Sequence, residues 1–548
     1  MKRILVVGGV AGGMSFAARM RRLDETAQIT VLEKSGHVSY ANCGLPYYVG
    51  GVIENEESLL LQTPETLFSR FRLDVRVMSE VTRIDSEGKS AEILNLTTNE
   101  KYSLPYDFLV LSPGAAPVRP NIPGIERSLS LRNVEDVERL HEAVTTSPKS
   151  AVVVGGGFIG LEVAENLQRR GIRTSIVEAS NQVLMPLDIE MAAIVHREIE
   201  KHGVQLHLGS ALSEISPTSV ILENGEEIEA ELVLMAIGVR PEVSLAKTAG
   251  LDIGERGGVR VDEFNRTSNP FIYAVGDAVE KIDALDQSAS LVPLANIANR
   301  HGRLIADHIA GKVVTTSYVQ ATAIVKVFDL TVATSGWNEK KLSVAGRDFV
   351  AIHSHPASHA SYYPGAKAMS LKLLIEPNSH RILGVQGVGT DGVDKRIDVI
   401  ATAMRGGITA PELSQLELAY APPFGSAKDP VNMLGYISEN VLSGITPTIQ
   451  WSEVSARVSE GYTVLDVRSE SESLREPFRG SINVPIDELR ERLNEIPTGK
   501  IIVTCQVGQR GHAATRLLRE LGYDALNLDG GYVTWRNSPA FILEKEGK

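Results

Sequence analysis

The sequence predicts a multidomain α/β chain, and three observations carry that expectation. A unit of strand, glycine turn, helix and strand near the N-terminus recurs further on, with a step of 147 residues from Gly8 to Gly155 and of 145 from Glu33 to Glu178. An apolar strand over 267–277 then ends in Gly276 and Asp277. Finally, roughly the last hundred residues alternate short apolar strands with helices, enough to fold alone.

In the first unit, residues 4–13 read as an apolar strand running into Gly8, Gly9, Ala11, Gly12 and Gly13; a helix follows, and the strand 28–33 closes on Glu33 with Lys34 beside it. In the second, residues 151–160 lead through Gly155, Gly157, Ile159 and Gly160 into a helix carrying Glu162, and the strand 174–178 closes on Glu178. Glycines let the backbone turn tightly and approach a pyrophosphate, the helix N-terminus offers unpaired N–H groups, and the acid takes a ribose hydroxyl pair. One glycine-rich turn can be tight packing alone, but two with their acids imply two Rossmann-like dinucleotide sites. The first unit departs from the pattern at Val10, where the middle glycine would stand.

Composition bounds the rest. A chain of 548 residues suggests roughly three to four domains, and 43% hydrophobic with 22% charged residues is ordinary for globular protein. A net charge of −13 argues against nucleic-acid or polybasic membrane surfaces. The opening apolar run ends in glycines rather than a signal-cleavage site, and no run is long enough to span a bilayer. The two cysteines, Cys43 and Cys505, both sit in glycine-bearing loops behind apolar runs; they point to redox or sulfur chemistry in a reducing cytoplasm, and no metal is expected.

The 267–277 strand resembles the second flavin fingerprint of the two-dinucleotide flavoproteins, with residues 106–114, ending in Gly114, as its connecting strand. The resemblance implies FAD in the first unit, its ribityl chain held by Asp277, and NAD(P)H in the second. Glu178 is followed by Ala179, Ser180 and Asn181 without an arginine, so NADH is expected, with NADPH left open.

The motif Ser39-Tyr-Ala-Asn-Cys43-Gly-Leu-Pro resembles the single-cysteine site of coenzyme A disulfide reductases, a branch of the pyridine nucleotide disulfide oxidoreductases, and the likeness runs through roughly the first 440 residues. Ser39 stands about where dithiol relatives carry a first cysteine, so Cys43 must pair with an external thiol or become a sulfenic acid. A hydrogen bond from Ser39 and the following helix are expected to favour the thiolate. The resemblance further implies that Tyr362 and Tyr420 reach the active thiol, Tyr420 from the partner subunit of a homodimer. It assigns Ser15, Arg19, Arg22, Ser39, Asn42 and Lys428 to coenzyme A, while Asn299 and Phe71 replace a histidine and a lysine of some relatives. NADH peroxidases and oxidases share the fold and the lone cysteine, but they place a histidine in the first glycine loop where this chain has Ala11, and without that base a departing hydroxide is harder to protonate.

Residues 443–450 read as a linker, and residues 451–548 resemble a rhodanese domain over their whole length. Cys505 leaves an apolar strand and enters a loop containing Arg510, where backbone N–H groups can ring a sulfur anion. Four residues separate Cys505 from Arg510, against the five of tyrosine phosphatases, which favours a persulfide over a phosphate.

The expected architecture is an FAD domain over 1–115 and 250–322 split around an NAD(P)H domain over 116–249, an α+β dimerisation domain over 323–442, and the rhodanese domain. The implied activity is NAD(P)H-dependent reduction of CoA disulfide, CoA persulfide or polysulfide at Cys43, with Glu162 helping to position the nicotinamide and Cys505 handling sulfane sulfur. A flavin-bearing redox sensor or sulfur carrier without turnover is the alternative from another class.

Overall fold

The computed structural model describes residues 1–315 and 318–541. Residues 316–317 of the expected FAD domain and 542–548 of the expected rhodanese domain lie outside the described residues. The chain forms two compact units, one of Met1–Asn181 with Gly203–Ala321, the other of Gln182–His202 with the chain from Thr322 onward.

The first unit holds two parallel sheets. One has five strands in the order Ile272–Ala274, Phe108–Leu111, Arg3–Val7, Gln28–Leu32, Asp74–Arg76; the other has four, Gln205–Leu208, Arg173–Glu178, Ser150–Val154, Leu232–Met235. Their central strands are buried almost throughout, which is why they read as unbroken apolar runs rather than alternating ones. In-register pairing sets Val7 against Leu32 and Val154 against Val177, so both acids, Glu33 and Glu178, emerge beside their glycine turns. The pair Ala115–Pro117 and Val239–Pro241 runs antiparallel, at the crossing points between the two sheet regions.

Both turns are built by the same two contacts. A Cβ on Gly8, at φ +101, would lie 2.1 Å from the Ser112 carbonyl oxygen, and one on Gly13 would lie 2.1 Å from the Gly8 carbonyl oxygen. A Cβ on Gly155, at φ +112, would meet the Ala236 carbonyl oxygen at 2.4 Å, and one on Gly160 the Gly155 carbonyl oxygen at 2.0 Å. Each helix therefore starts hard against its preceding turn.

The second unit combines a five-stranded antiparallel sheet, ordered Ala323–Val327, Leu330–Gly336, Ile382–Gly389, Met369–Ile375, Val350–Ser354, with a five-stranded parallel one, ordered Thr448–Ile449, Asp524–Leu528, Lys500–Thr504, Thr463–Asp466, Ile482–Asn483. The helices Val393–Gly406 and Pro430–Leu442 share the apolar core of the antiparallel sheet. The segment Gln182–His202, although it falls within 116–249 in sequence, joins this unit because its helix Ile189–Lys201 packs on the antiparallel sheet and Asp188 exchanges hydrogen bonds of 2.8 and 2.6 Å with Gln386. No helix among the described residues is long and apolar enough to cross a membrane.

The helix Ala295–Ile309 lies against the helix Ala11–Leu23 so closely that a Cβ on Gly302 would stand 2.4 Å from the Gly12 carbonyl oxygen. Gly302→Ala should therefore lower unfolding stability by about 1–3 kcal/mol and weaken retention of any nucleotide at the Gly8 turn. Thermal unfolding and absorbance of the purified protein check this; an unchanged melt would mean the helix pair yields freely.

Candidate functional site

At the first glycine turn, the helix Ala11–Leu23 begins without a hydrogen bond from its N-cap side chain and without an acid in its first turn, a start that suits an anion. The Gly9 N–H donates to one Glu33 oxygen at 2.8 Å and the Ser35 N–H to the other at 2.9 Å, which fixes a carboxylate at the strand end; Lys34 between them is exposed. Gly13 N–H donates to Ser112 Oγ at 3.1 Å. Gly114, at φ +73, closes the neighbouring strand, and Arg132 donates to the Pro113 carbonyl at 3.0 Å. Asp277 sits in the turn Gly276–Ala278, where burial raises its carboxyl pKa against the pull of Lys281 and Arg132. An uncapped helix start, a cradle only glycine fills and a pinned carboxylate together fit the diphosphate and ribose of FAD.

The second turn repeats the design. The helix Phe158–Arg169 also lacks a cap and an early acid, Gly157 faces open space, and Ile159 is exposed. Glu178 accepts from Gly156 N–H and Ser180 N–H, both at 2.8 Å. A carboxylate held this way suits ribose hydroxyls and repels a phosphate.

Cys43 lies in a short turn, Asn42–Gly44, and is exposed. The loop is tethered at its start, where Ser39 N–H donates to the Gly9 carbonyl at 2.8 Å, so the thiol segment hangs from the first glycine turn. Burial first, then the carboxylates Glu162 and Asp277, push the thiol pKa up. This departs from the expected thiolate bias: the helix that follows, Leu45–Val49, has five residues, too few for its dipole to outweigh two nearby acids. Tyr47 Oη donates to Glu162 at 3.2 Å, and burial nonetheless raises the Glu162 pKa.

Lys281 escaped the sequence reading. It is buried, donates to the Gly276 and Val279 carbonyls at 2.8 and 3.2 Å, and burial lowers its pKa to about 8 despite Asp277. Its only sequence mark was a lysine four residues beyond Asp277, between Glu280 and Ile282.

Among the positions the resemblance assigns to coenzyme A, Ser15 donates to Asn299 Oδ1 at 2.8 Å, and Arg19 is held by Asp307 at 2.6 and 2.9 Å. The Asp307 carboxylate thus takes up part of the Arg19 charge. Arg22, Asn42 and Lys428 are exposed. In the second unit Tyr362 and Tyr420 meet hydroxyl to hydroxyl at 3.0 Å, and both are exposed. That bond raises the Tyr420 pKa. The two phenols come from one chain, so whichever site they serve receives both.

Cys505 is fully buried at the end of the strand Lys500–Thr504. Gly508, at φ +88, turns the chain into the helix Gln509–Glu520, and Gly511 N–H reaches Cys505 Sγ at 3.1 Å. Arg510 is clamped by Glu472 at 2.7 and 2.8 Å. This clamp holds the Glu472 carboxyl at about 2. Glu472 was also missed, although Ser469 and Glu472 form a capping box legible as Ser-x-x-Glu.

The pyridine nucleotide-disulphide oxidoreductase family matches residues 2–302, its dimerisation domain residues 322–430, and the rhodanese-like domain residues 450–538. The coenzyme A disulfide reductase of Staphylococcus epidermidis is 34% identical over 80% of this chain and 99% of its own length. Among solved structures, reduced Bacillus anthracis CoADR-RHD is 47% identical with a TM-score of 0.97, covering 99% of this chain and 98% of that one. An NAD-dependent persulfide reductase from A. fulgidus is 37% identical with a TM-score of 0.92, covering 97% and 100%.

Replacing Glu162 with Gln removes a negative charge near Cys43 and should lower the thiol pKa. The alkylation rate of Cys43 against pH, measured in a Cys505→Ser background, should shift to lower pH; an unmoved profile would show that Glu162 does not act on the thiol.

Proposed function

Because the chain belongs to the pyridine nucleotide-disulphide oxidoreductase family and carries a rhodanese-like domain, we propose that it reduces CoA disulfide, CoA persulfide or polysulfide at Cys43 and loads sulfane sulfur on Cys505. The observation that carries this reading is a lone, exposed thiol tethered to the first glycine turn, with no second cysteine in its unit to close an internal disulfide.

Glu33, Asp277 and the turn from Gly8 to Gly13 would hold FAD; Glu178 and the turn from Gly155 to Gly160 would hold the nicotinamide nucleotide, NADH in preference to NADPH because Glu178 would face a 2′-phosphate. When both are bound, NADH would supply two electrons and FAD would relay them. The Cys43 thiolate attacks one sulfur of the substrate's S–S bond; a new bond to Sγ forms as the old one breaks, and the other sulfur leaves as thiolate or hydrosulfide. Two electrons then cleave the Cys43 mixed disulfide or persulfide, freeing the second thiol or sulfide and restoring the thiolate. The paired Tyr362 and Tyr420 hydroxyls would serve the partner subunit's site, where they would protonate the departing sulfur; their exposure and mutual hydrogen bond support this reading. Ser15, Arg22, Asn42 and Lys428 are left to contact coenzyme A, with Arg19 weakened for that role by Asp307. Two free thiols suit a reducing cytoplasm.

Cys43→Ser should keep FAD bound and reducible by NADH while disulfide and persulfide turnover falls at least about 1,000-fold; substantial turnover with intact flavin would remove the reading. Cys505→Ser should spare reduction of ready-made CoA persulfide and impair reduction that starts from polysulfide. Equal use of both donors would show that Cys505 is no obligatory relay. Mixing inactive Cys43→Ser and inactive Tyr420→Phe chains should restore activity in heterodimers, and no restoration in proven heterodimers would place Tyr420 in its own chain's site.

A further inference from the structure

The antiparallel sheet of the second unit and its rhodanese-like sheet meet through buried charges. His353, on the strand Val350–Ser354, has a side chain 1% exposed. Its Nδ1 stands 2.6 Å from Asp529 Oδ2 and its Nε2 3.0 Å from Glu190 Oε1, while its backbone N–H donates to Asp529 Oδ1 at 3.2 Å. With a carboxylate at each ring nitrogen, both nitrogens donate and the ring is an imidazolium. Burial works against that charge, but Asp529 and Glu190 outweigh it and push the His353 pKa up to about 9.

The surrounding groups complete the cluster. Lys372 is fully buried against Glu190, Asp188 at 3.0 Å and Glu339 at 2.7 Å. Gln450 Nε2 donates to Asp529 Oδ2 at 3.2 Å and to the Ala351 carbonyl at 2.9 Å. His355 bridges Ser370 Oγ at 2.9 Å and Thr534 Oγ1 at 2.8 Å; burial first, then the charge of His353, depresses its pKa to about 3 and keeps it neutral.

Asp529 opens a turn that runs straight to the second thiol. A Cβ on Gly530 would lie 2.7 Å from His353 Cβ, and one on Gly531 2.4 Å from the Cys505 carbonyl oxygen. Tyr532 N–H donates to the Cys505 carbonyl at 2.7 Å and Val533 N–H to the Gln506 carbonyl at 3.0 Å. His353 and the Cys505 loop thus grip opposite sides of one three-residue turn.

We propose that His353 is a positioning residue for Cys505: by clamping Asp529 it fixes the turn Asp529-Gly530-Gly531 that forms the back wall of the Cys505 loop, so the α+β domain sets the geometry of the sulfur cradle. The proposal rests on the reading of Cys505 as a sulfane-sulfur carrier for its functional consequence, but not for the geometry itself. It also makes the rhodanese-like domain a fixed station on the α+β domain rather than a swinging arm.

The test uses the full-length holoprotein with three variants, His353→Gln, Asp529→Asn and Asp529→Ala. Two readouts report on Cys505, its alkylation by iodoacetamide followed by mass spectrometry and its loading to a persulfide by inorganic polysulfide; NADH-dependent reduction of CoA disulfide reports on Cys43. His353→Gln and Asp529→Ala should alkylate Cys505 at least about tenfold faster, because a loosened back wall exposes the thiol more often. They should load it at a maximal rate about tenfold lower with the half-saturating polysulfide concentration unchanged, and leave CoA disulfide reduction within about twofold. Asp529→Asn keeps an oxygen for His353 and should stay within about threefold of the parent in both Cys505 readouts. Parent-like Cys505 reactivity in folded His353→Gln overturns the proposal. If that variant fails to fold, the Asp529 pair decides, and equal behaviour of Asn and Ala overturns it. A parent chain that forms no Cys505 persulfide instead defeats the carrier reading, while the alkylation rates still decide the positioning role.

Discussion

The close approach of each nucleotide-site helix to the turn before it is the constraint on which the first unit depends. Gly13 against the Gly8 carbonyl and Gly160 against the Gly155 carbonyl leave no room for a Cβ, and these contacts aim two uncapped helix starts at the ends of two parallel sheets. Three features of that unit hang from them. Glu33 and Glu178 are pinned by the N–H groups of Gly9 and Gly156, and the Cys43 loop is tied by Ser39 to the Gly9 carbonyl. The thiol is thereby placed by the same backbone that shapes the first glycine turn.

The two thiols occupy contrasting settings. Cys43 is open to solvent, yet partial desolvation by the protein around it, together with the carboxylates Glu162 and Asp277, opposes its ionisation. Cys505 is buried with a backbone N–H aimed at its sulfur. An exposed thiol is open to a bulky reagent, whereas a buried one is not. Arg510 gives that loop a charge that Glu472 largely balances.

Much of this was legible in the sequence because it rests on local signals. Glycine turns, strands closing on an acid, and a lone cysteine in a turn are written in consecutive residues, and both sheets form where the apolar runs predict them. What escaped depends on distant pairing. The Tyr362 and Tyr420 bond joins residues 58 apart, and His353 meets partners 163 and 176 residues away. Asp307, which takes up the charge of Arg19, is 288 residues distant and carries no local mark. The Cys43 pKa direction escaped for the same reason, since desolvation by packed neighbours comes first and Glu162 and Asp277 come from far along the chain, while the helix after Cys43 is visible at once but short. Glu472 was a missed opportunity of another kind, because its capping box is local.

The central claim is that Cys43 makes a mixed disulfide with an external sulfur compound. The most direct measurement is peptide mass spectrometry of the thiol-reduced, desalted protein after exposure to CoA disulfide without NADH. The peptide containing Cys43 should gain one coenzyme A, lost on adding a reducing thiol, while the Cys505 peptide stays unmodified. An unmodified Cys43, or coenzyme A found on Cys505 alone, would contradict the account.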